Sequence, residues 1–222
     1  MKYLIAMMFV MIFGTTVFGK NTMNIKSETG KQSYSVGYLV GRDLRSNATD
    51  LDINVLIKGI ADGLANSPQM SEKEIMSGMM AFQQKMQDNR VKQAEINLEK
   101  GKAFLAKNKK KKGVKTLQNG LQYKIIKTGN GSRPSSTDTV EVHYTGKLID
   151  GTTFDSSKGK APISFKLNAV IKGWQDALPL MKVGAKWELY IPSNLAYGAQ
   201  GSPGGIGPNE VLIFEIDLLD IK

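Results

Sequence analysis

The stretch VHYTGKLIDGTTFDSS at positions 142–157 decides how this chain is read. Val140, Val142 and Tyr144 alternate with Glu141 and His143, the period of a strand with one buried face. Asp150-Gly151 then marks a turn. Beyond it, Phe154-Asp155 sets a carboxylate beside a large apolar ring. His143 is out of phase with the apolar face, which assigns it to the surface or an edge rather than to catalysis.

The same period of two extends outward from that stretch. It recurs in Leu121, Tyr123 and Ile125; in Ile163, Phe165 and Leu167; in Trp187, Leu189 and Ile191; and in Leu212, Phe214, Ile216 and Leu218. Thr128-Gly129-Asn130-Gly131 and the glycine-rich segment 198–207 supply further turns. The pattern predicts an antiparallel sheet of about five strands covered by one short helix near 173–181. Pro179 falls inside that helix, where an interior proline costs about 3 kcal/mol, so the helix should be very short or kinked. The result is an α+β domain of roughly 100 residues.

Upstream, residues 20–112 read as helical, with Pro68 as the single proline. Tyr34, Tyr38, Leu39 and Leu44, and then Val55, Leu56, Ile60 and Leu64, recur at helical spacing. Ser71 followed by Glu74 is a capping box. A helix from 71 to 112 would be about 63 Å long. Ile75, Met79, Phe82 and Met86 form one apolar stripe, but its continuation is Arg90, Gln93, Asn97 and Lys100. The first half should therefore pack, and the second half should stand in water as a connector, with Gly101 and Gly113 as candidate hinges. The N-terminal helices are too few to bury their apolar faces alone, which points to a second copy of the chain. The expected organisation is a signal peptide at 1–19, an all-α dimerisation domain at 20–70, a long connecting helix at 71–112 and the sheet domain at 113–222.

The signal peptide rests on Met1-Lys2, the uncharged apolar run 3–18 and the small residue of Val17-Phe18-Gly19. Sixteen apolar residues are short of the ~20 that a membrane span requires. The 222 residues are 41% hydrophobic and 23% charged, ordinary globular usage. With no cysteine there are no disulfides, thiolate metal sites, cysteine nucleophile or acylated cysteine anchor. The net charge of +10 is local. Nine basic residues face two glutamates between 90 and 112, whereas twelve face ten acidic ones from 113 onward. Lys109–Lys112 reads as a solvated helix end that complements the helix dipole. Export argues against a nucleic-acid partner, and a weak, salt-dependent association with the envelope stays open.

No P-loop or dinucleotide fingerprint occurs, and no base is evident beside Ser156-Ser157, which argues against hydrolase chemistry. Instead, Phe154-Asp155, Gly173-Trp174 and Ala196-Tyr197-Gly198 together suggest an apolar pocket with few polar groups. These motifs, with Val170-Ile171-Lys172 and Leu212-Ile213-Phe214-Glu215, come in an order that resembles the FKBP family of peptidyl-prolyl isomerases. Ser33-Tyr34-Ser35-Val36-Gly37, the lysine-rich helix and Gly120-Leu121-Gln122-Tyr123 are similar to the macrophage infectivity potentiator proteins of Gram-negative bacteria, some of which act in infection.

The resemblance implies a pocket with Trp174 as its floor under the proline ring. Tyr144, Phe154, Phe165, Val170, Ile171, Ile206 and Phe214 would form its walls. Asp155 and Tyr197 would supply polar contacts, and the Ile171 N–H would hold a substrate carbonyl. Ile163 stands where many members carry an aromatic, so the pocket should be slightly shallower. The segment between Leu167 and Val170 is short, and Ser202 sits in the distal loop where some members carry histidine. No cofactor or metal is implied. Substrates would be proline-containing unfolded or partly folded polypeptides, and rapamycin-type macrolides would inhibit. The protein would be an exported homodimer that assists folding, in the periplasm or at the outer membrane or cell surface. The alternative is a non-catalytic periplasmic chaperone or binding scaffold.

The chemistry needs no nucleophile. Resonance holds the X–Pro bond planar behind a barrier of about 18–20 kcal/mol. An apolar pocket favours the less dipolar twisted amide, and only interactions stronger in the transition state raise the rate.

Overall fold

The computed structural model describes residues 24–47 and 50–222. The segment read as a signal peptide lies outside them. The described residues divide into two units, with the boundary between Ile57 and Lys58. Helix α1 (Glu28–Asn47) opens where the Ser27 hydroxyl accepts the Gly30 N–H at 3.0 Å. Helix α2 (Ile53–Leu64) opens where Asp52 accepts the Asn54 N–H at 2.8 Å. Both present exposed apolar side chains in the single chain, among them Tyr34, Tyr38 and Leu39 on α1 and Ile53, Val55 and Ile60 on α2.

Helix α3 (Glu72–Asn108) starts at the expected capping box. Glu74 accepts the Ser71 N–H at 2.8 Å and the Ser71 hydroxyl accepts the Glu74 N–H at 3.3 Å. The hydroxyl and N–H of Ser71 hold the Glu74 carboxyl below its ordinary range. Ile75, Met76, Met79 and Met80 in the first half are exposed, and Phe82 and Met86 are half-buried.

The second half does not stand in water. Ala94, Asn97, Gly101, Phe104, Leu105 and Asn108 form a stripe against the sheet domain. Asn108 donates to Gln122 Oε1 at 3.0 Å, and Gln122 donates to the Leu105 carbonyl at 2.9 Å. The Phe104 and Tyr190 rings meet at 6.1 Å. A Cβ on Gly101 would lie 2.7 Å from Val211 Cγ2. Glycine there permits close approach and does not act as a hinge.

All strand pairs are antiparallel. The sheet has seven strands: β1 (Val114–Thr116), β2 (Gln122–Lys127), β3 (Thr139–Lys147), β4 (Thr153–Ser156), β5 (Ile163–Lys166), β6 (Lys186–Ile191) and β7 (Leu212–Ile221). Their order is β1-β2-β6-β7-β3-β4, with β5 sharing the β4 edge of β3. The five expected strands are joined by the short β1 and β4. One face of β3, β6 and β7 is buried, through Val140, Val142, Leu189, Ile191, Leu212 and Ile216. Helix α4 (Lys172–Ala177) covers this face and ends before Pro179, which occupies the start of a 3₁₀ turn at Leu178–Leu180. That turn is the expected shortening: proline fits a first turn and not a helix interior.

Candidate active site

The inward face of β3 brings Tyr144 onto Trp174, the third residue of α4. Trp174 is 4% exposed. Three rings stand on it nearly at right angles: Tyr144 at 5.4 Å and 83°, Phe165 at 5.6 Å and 86°, and Phe214 at 5.2 Å and 82°. Phe154 from β4 meets Phe214 at 5.6 Å and 85°. Edge-to-face contacts of this kind are worth about 0.5–1.5 kcal/mol each beyond burial. Ile206 is buried in the same cluster, and Ile163, Val170 and Ile171 are half-buried against it. The rings of Tyr144, Phe165 and Phe214 thus meet on one tryptophan, and the aliphatic residues belong to the core that holds it. Tyr197 stands more exposed, at 40%.

Polar groups are few and fixed. The Tyr144 hydroxyl donates to Asp155 Oδ2, while Asp155 Oδ1 accepts the Ser156 N–H at 2.8 Å. Each carboxylate oxygen thus has its own donor, which sets the plane of the group. Burial raises the Tyr144 pKa, and the hydrogen bond and charge of Asp155, with Tyr197, push the same way. Tyr144 stays a protonated donor throughout the neutral range. Gln175 donates to the Val170 carbonyl at 2.7 Å and holds the segment before α4. The Ile171 carbonyl accepts the Trp174 N–H at 2.9 Å, whereas the Ile171 N–H donates to no described residue.

Two contributors were not legible as site residues. Ser157 is fully buried and holds the backbone of Tyr144. Its hydroxyl accepts the Tyr144 N–H at 2.9 Å, and its own N–H donates to the Tyr144 carbonyl at 3.0 Å. His143 Nδ1 lies 3.2 Å from the same hydroxyl, so a base does stand beside this serine. The pair is still no nucleophilic dyad, because the Ser157 side chain has no path to solvent. His143 itself is half-buried on β3, which pairs on both sides rather than lying at an edge. Replacing Ser157 by alanine leaves the buried Tyr144 N–H unpaired. The expected loss is about 1–3 kcal/mol of stability by urea denaturation, with a smaller fall in turnover.

The second contributor is Gly146 on β3. A Cβ there would lie 2.5 Å from Phe154 Cζ and 2.8 Å from Phe214 Cε1. Its bare backbone lets two wall rings rest on the strand. The glycine was visible in the sequence, but the rings above it were not.

The arrangement provides a closely packed aromatic floor, half-buried apolar walls and one oriented carboxylate at a more exposed edge. It suits binding a compact apolar ring beside a polar backbone.

Comparison with known proteins gives the family. Residues 130–219 match the FKBP-type peptidyl-prolyl cis-trans isomerase family. Residues 29–125 match the domain amino terminal to FKBP-type peptidyl-prolyl isomerase. The chain is 46% identical to the peptidyl-prolyl cis-trans isomerase Mip of Coxiella burnetii, over 96% of this chain and 94% of that one. It is 40% identical to the outer membrane protein MIP of Legionella longbeachae, over 100% and 98%. The crystal structure of FkpA from Escherichia coli superposes with a TM-score of 0.66 at 39% identity, covering 89% of this chain and 98% of that one. The chain belongs to the FKBP-type peptidyl-prolyl cis-trans isomerases and carries the amino-terminal domain that accompanies the isomerase domain in that family.

Proposed function

We propose that this isomerase is an exported, homodimeric folding helper whose X–Pro pocket is the aromatic cluster on Trp174. The observation that carries the pocket reading is the meeting of Tyr144, Phe165 and Phe214 edge-on over one buried tryptophan, with the Asp155 carboxylate held by Tyr144 beside them. The proline ring lies on Trp174, with Phe154, Phe165, Val170, Ile163, Ile206 and Phe214 around it. The Ile171 N–H receives the carbonyl of the substrate. Asp155 and Tyr197 orient the peptide and act electrostatically, without proton transfer. The dry walls favour the twisted amide, which has lost resonance and part of its dipole. Rapamycin-type macrolides compete for the same surface.

The exposed apolar faces of α1, α2 and the first half of α3 support pairing of two copies through residues 20–85. Two pockets on one client would raise the effective concentration of each for the other. The apolar run 3–18 supports export to the periplasm or the outer envelope. None of the described helices is long and apolar enough to cross a membrane. A weak association of Lys109–Lys112 with anionic envelope surfaces is the remaining envelope contact.

The test is proline-limited refolding of a client by the mature protein. The wild type should accelerate it, and rapamycin should block the acceleration. Asp155→Ala should lower kcat/KM about tenfold, equivalent to ~1.4 kcal/mol of transition-state stabilisation. Tyr197→Phe should cost severalfold. Variants as active as the wild type would remove Asp155 and Tyr197 from the site. Absence of acceleration, with suppression of aggregation intact, would support the binding scaffold instead.

A further inference from the structure

The loop 198–209 enters the hydrophobic core that holds Trp174, Tyr144 and Phe214 through Ile206, and follows directly on Tyr197. Its own sequence does little to order it. Gly201, Gly204 and Gly205 have φ of 61°, 98° and 105°, conformations that glycine populates at an entropic cost on ordering. Within the loop, Ser202 pairs with Ile206, and the Asn209 N–H donates to the Gly198 carbonyl at 2.9 Å.

Three further ties come from outside the loop, all from α3. The Arg90 guanidinium donates to the Gln200 carbonyl. Asn97 Nδ2 donates to the Pro208 carbonyl at 2.8 Å. Asn209 Nδ2 donates to the Ala94 carbonyl at 3.2 Å. Positions 90, 94 and 97 step by four and three and so share one helix face.

Asn97 is 5% exposed. Its carbonyl oxygen accepts Gln93 Nε2 at 2.7 Å, which fixes the amide plane and leaves the NH₂ for the loop. A buried amide is costly on a helix unless its groups are paired, and alanine has the higher helix propensity. The polar choice at this position fits a demand for a defined loop position rather than for burial alone.

We propose that Asn97, assisted by Arg90, is a positioning residue for proline isomerisation: α3 holds the 198–209 loop in the arrangement that completes the pocket. The proposal rests on the pocket reading above. If the ties are cut, the loop spends part of its time displaced. Apparent affinity then falls by the competent fraction, while turnover of bound substrate is unchanged.

The experiment uses the full chain, with steady-state kinetics on an Xaa-Pro peptide and amide hydrogen exchange. Asn97→Ala should raise KM about fivefold, the scale of one buried hydrogen bond. Arg90→Ala should raise it roughly twofold, because that pair is exposed. In both, kcat should stay within about twofold and exchange should quicken across 198–209 but not in the sheet. Arg90→Lys retains a donor and should recover most of the affinity.

Unchanged KM and unchanged loop exchange in Asn97→Ala would overturn the proposal. So would a fall in kcat alone with faster exchange throughout the sheet, since that marks a residue acting only on fold stability. If the wild type itself fails to turn over peptide, the pocket reading falls, and the exchange measurement still decides whether α3 orders the loop.

Discussion

Trp174→Ala should cost about 3–5 kcal/mol of stability and at least tenfold in kcat/KM. The indole is 4% exposed and carries three rings at 5.2–5.6 Å, each nearly perpendicular to it. Those rings come from three different strands, β3, β5 and β7, so no single movement can close the space an alanine would leave. The loss is almost wholly one of packing. Trp174 Nε1 is buried without a hydrogen-bond partner, so its removal breaks no polar contact. Losing that unpaired N–H even offsets part of the cost. Trp187 remains as the single tryptophan reporter for urea denaturation followed by fluorescence. Trp174→Phe keeps an aromatic floor and should recover more than half of the stability. A loss below about 1 kcal/mol in the alanine variant would mean that the rings are not braced on one another, and the pocket would lose its floor as an explanation.

The strands were legible because their period of two survives in single residues. Leu121, Tyr123 and Ile125, or Leu212, Phe214 and Ile216, need no partner to be recognised. β4 was not legible as a strand, since Thr153–Ser156 is too short to show a period and its two informative residues belong to the site. The docked half of α3 was missed for a different reason. Extending the stripe of Ile75, Met79, Phe82 and Met86 leads to polar residues, and polar residues were assigned to solvent. The packed face instead uses Ala94, Asn97, Gly101 and Asn108, two small residues and two amides. Small residues bring the helix close to the sheet domain, and the amides bond to carbonyls and side chains opposite. A hydropathy scale scores both as unfit for a core, because it cannot know that the NH₂ of each amide finds an acceptor. Ser157 escaped notice for the same reason. Its hydroxyl is buried against His143 and Tyr144 of β3 and accepts the Tyr144 N–H, while the Ser157 N–H donates to the Tyr144 carbonyl. The pocket residues themselves were named through family resemblance. The residues alone pointed to Phe154-Asp155, Gly173-Trp174 and Tyr197 as a pocket, not to the tryptophan as the place where the rings meet.

Gly146→Ala should lower kcat/KM about 100-fold while costing only about 1–3 kcal/mol of stability. The added Cβ would lie 2.5 Å from Phe154 Cζ, 2.6 Å from Phe154 Cε2 and 2.8 Å from Phe214 Cε1. Aromatic rings have no flexible end to swing aside, so both walls must shift. The backbone at Gly146 adds no strain of its own, because its φ is not in the left-handed region. Stability is thus charged only for local overpacking. Activity suffers more because Gly146 pairs across the strands with Asp155. A displaced Phe154 carries the adjoining carboxylate with it, away from the Tyr144 hydroxyl that orients it. A misplacement of about 1 Å in a positioned group is enough for a loss of that order. The contact can be isolated by relieving it. Phe154→Ala in the Gly146→Ala background removes the nearer of the two clashing rings, so the double variant should be more stable than the sum of the two single losses by about 1 kcal/mol or more. Strict additivity would show that the alanine acts elsewhere. Full activity in Gly146→Ala would show that neither ring position governs turnover.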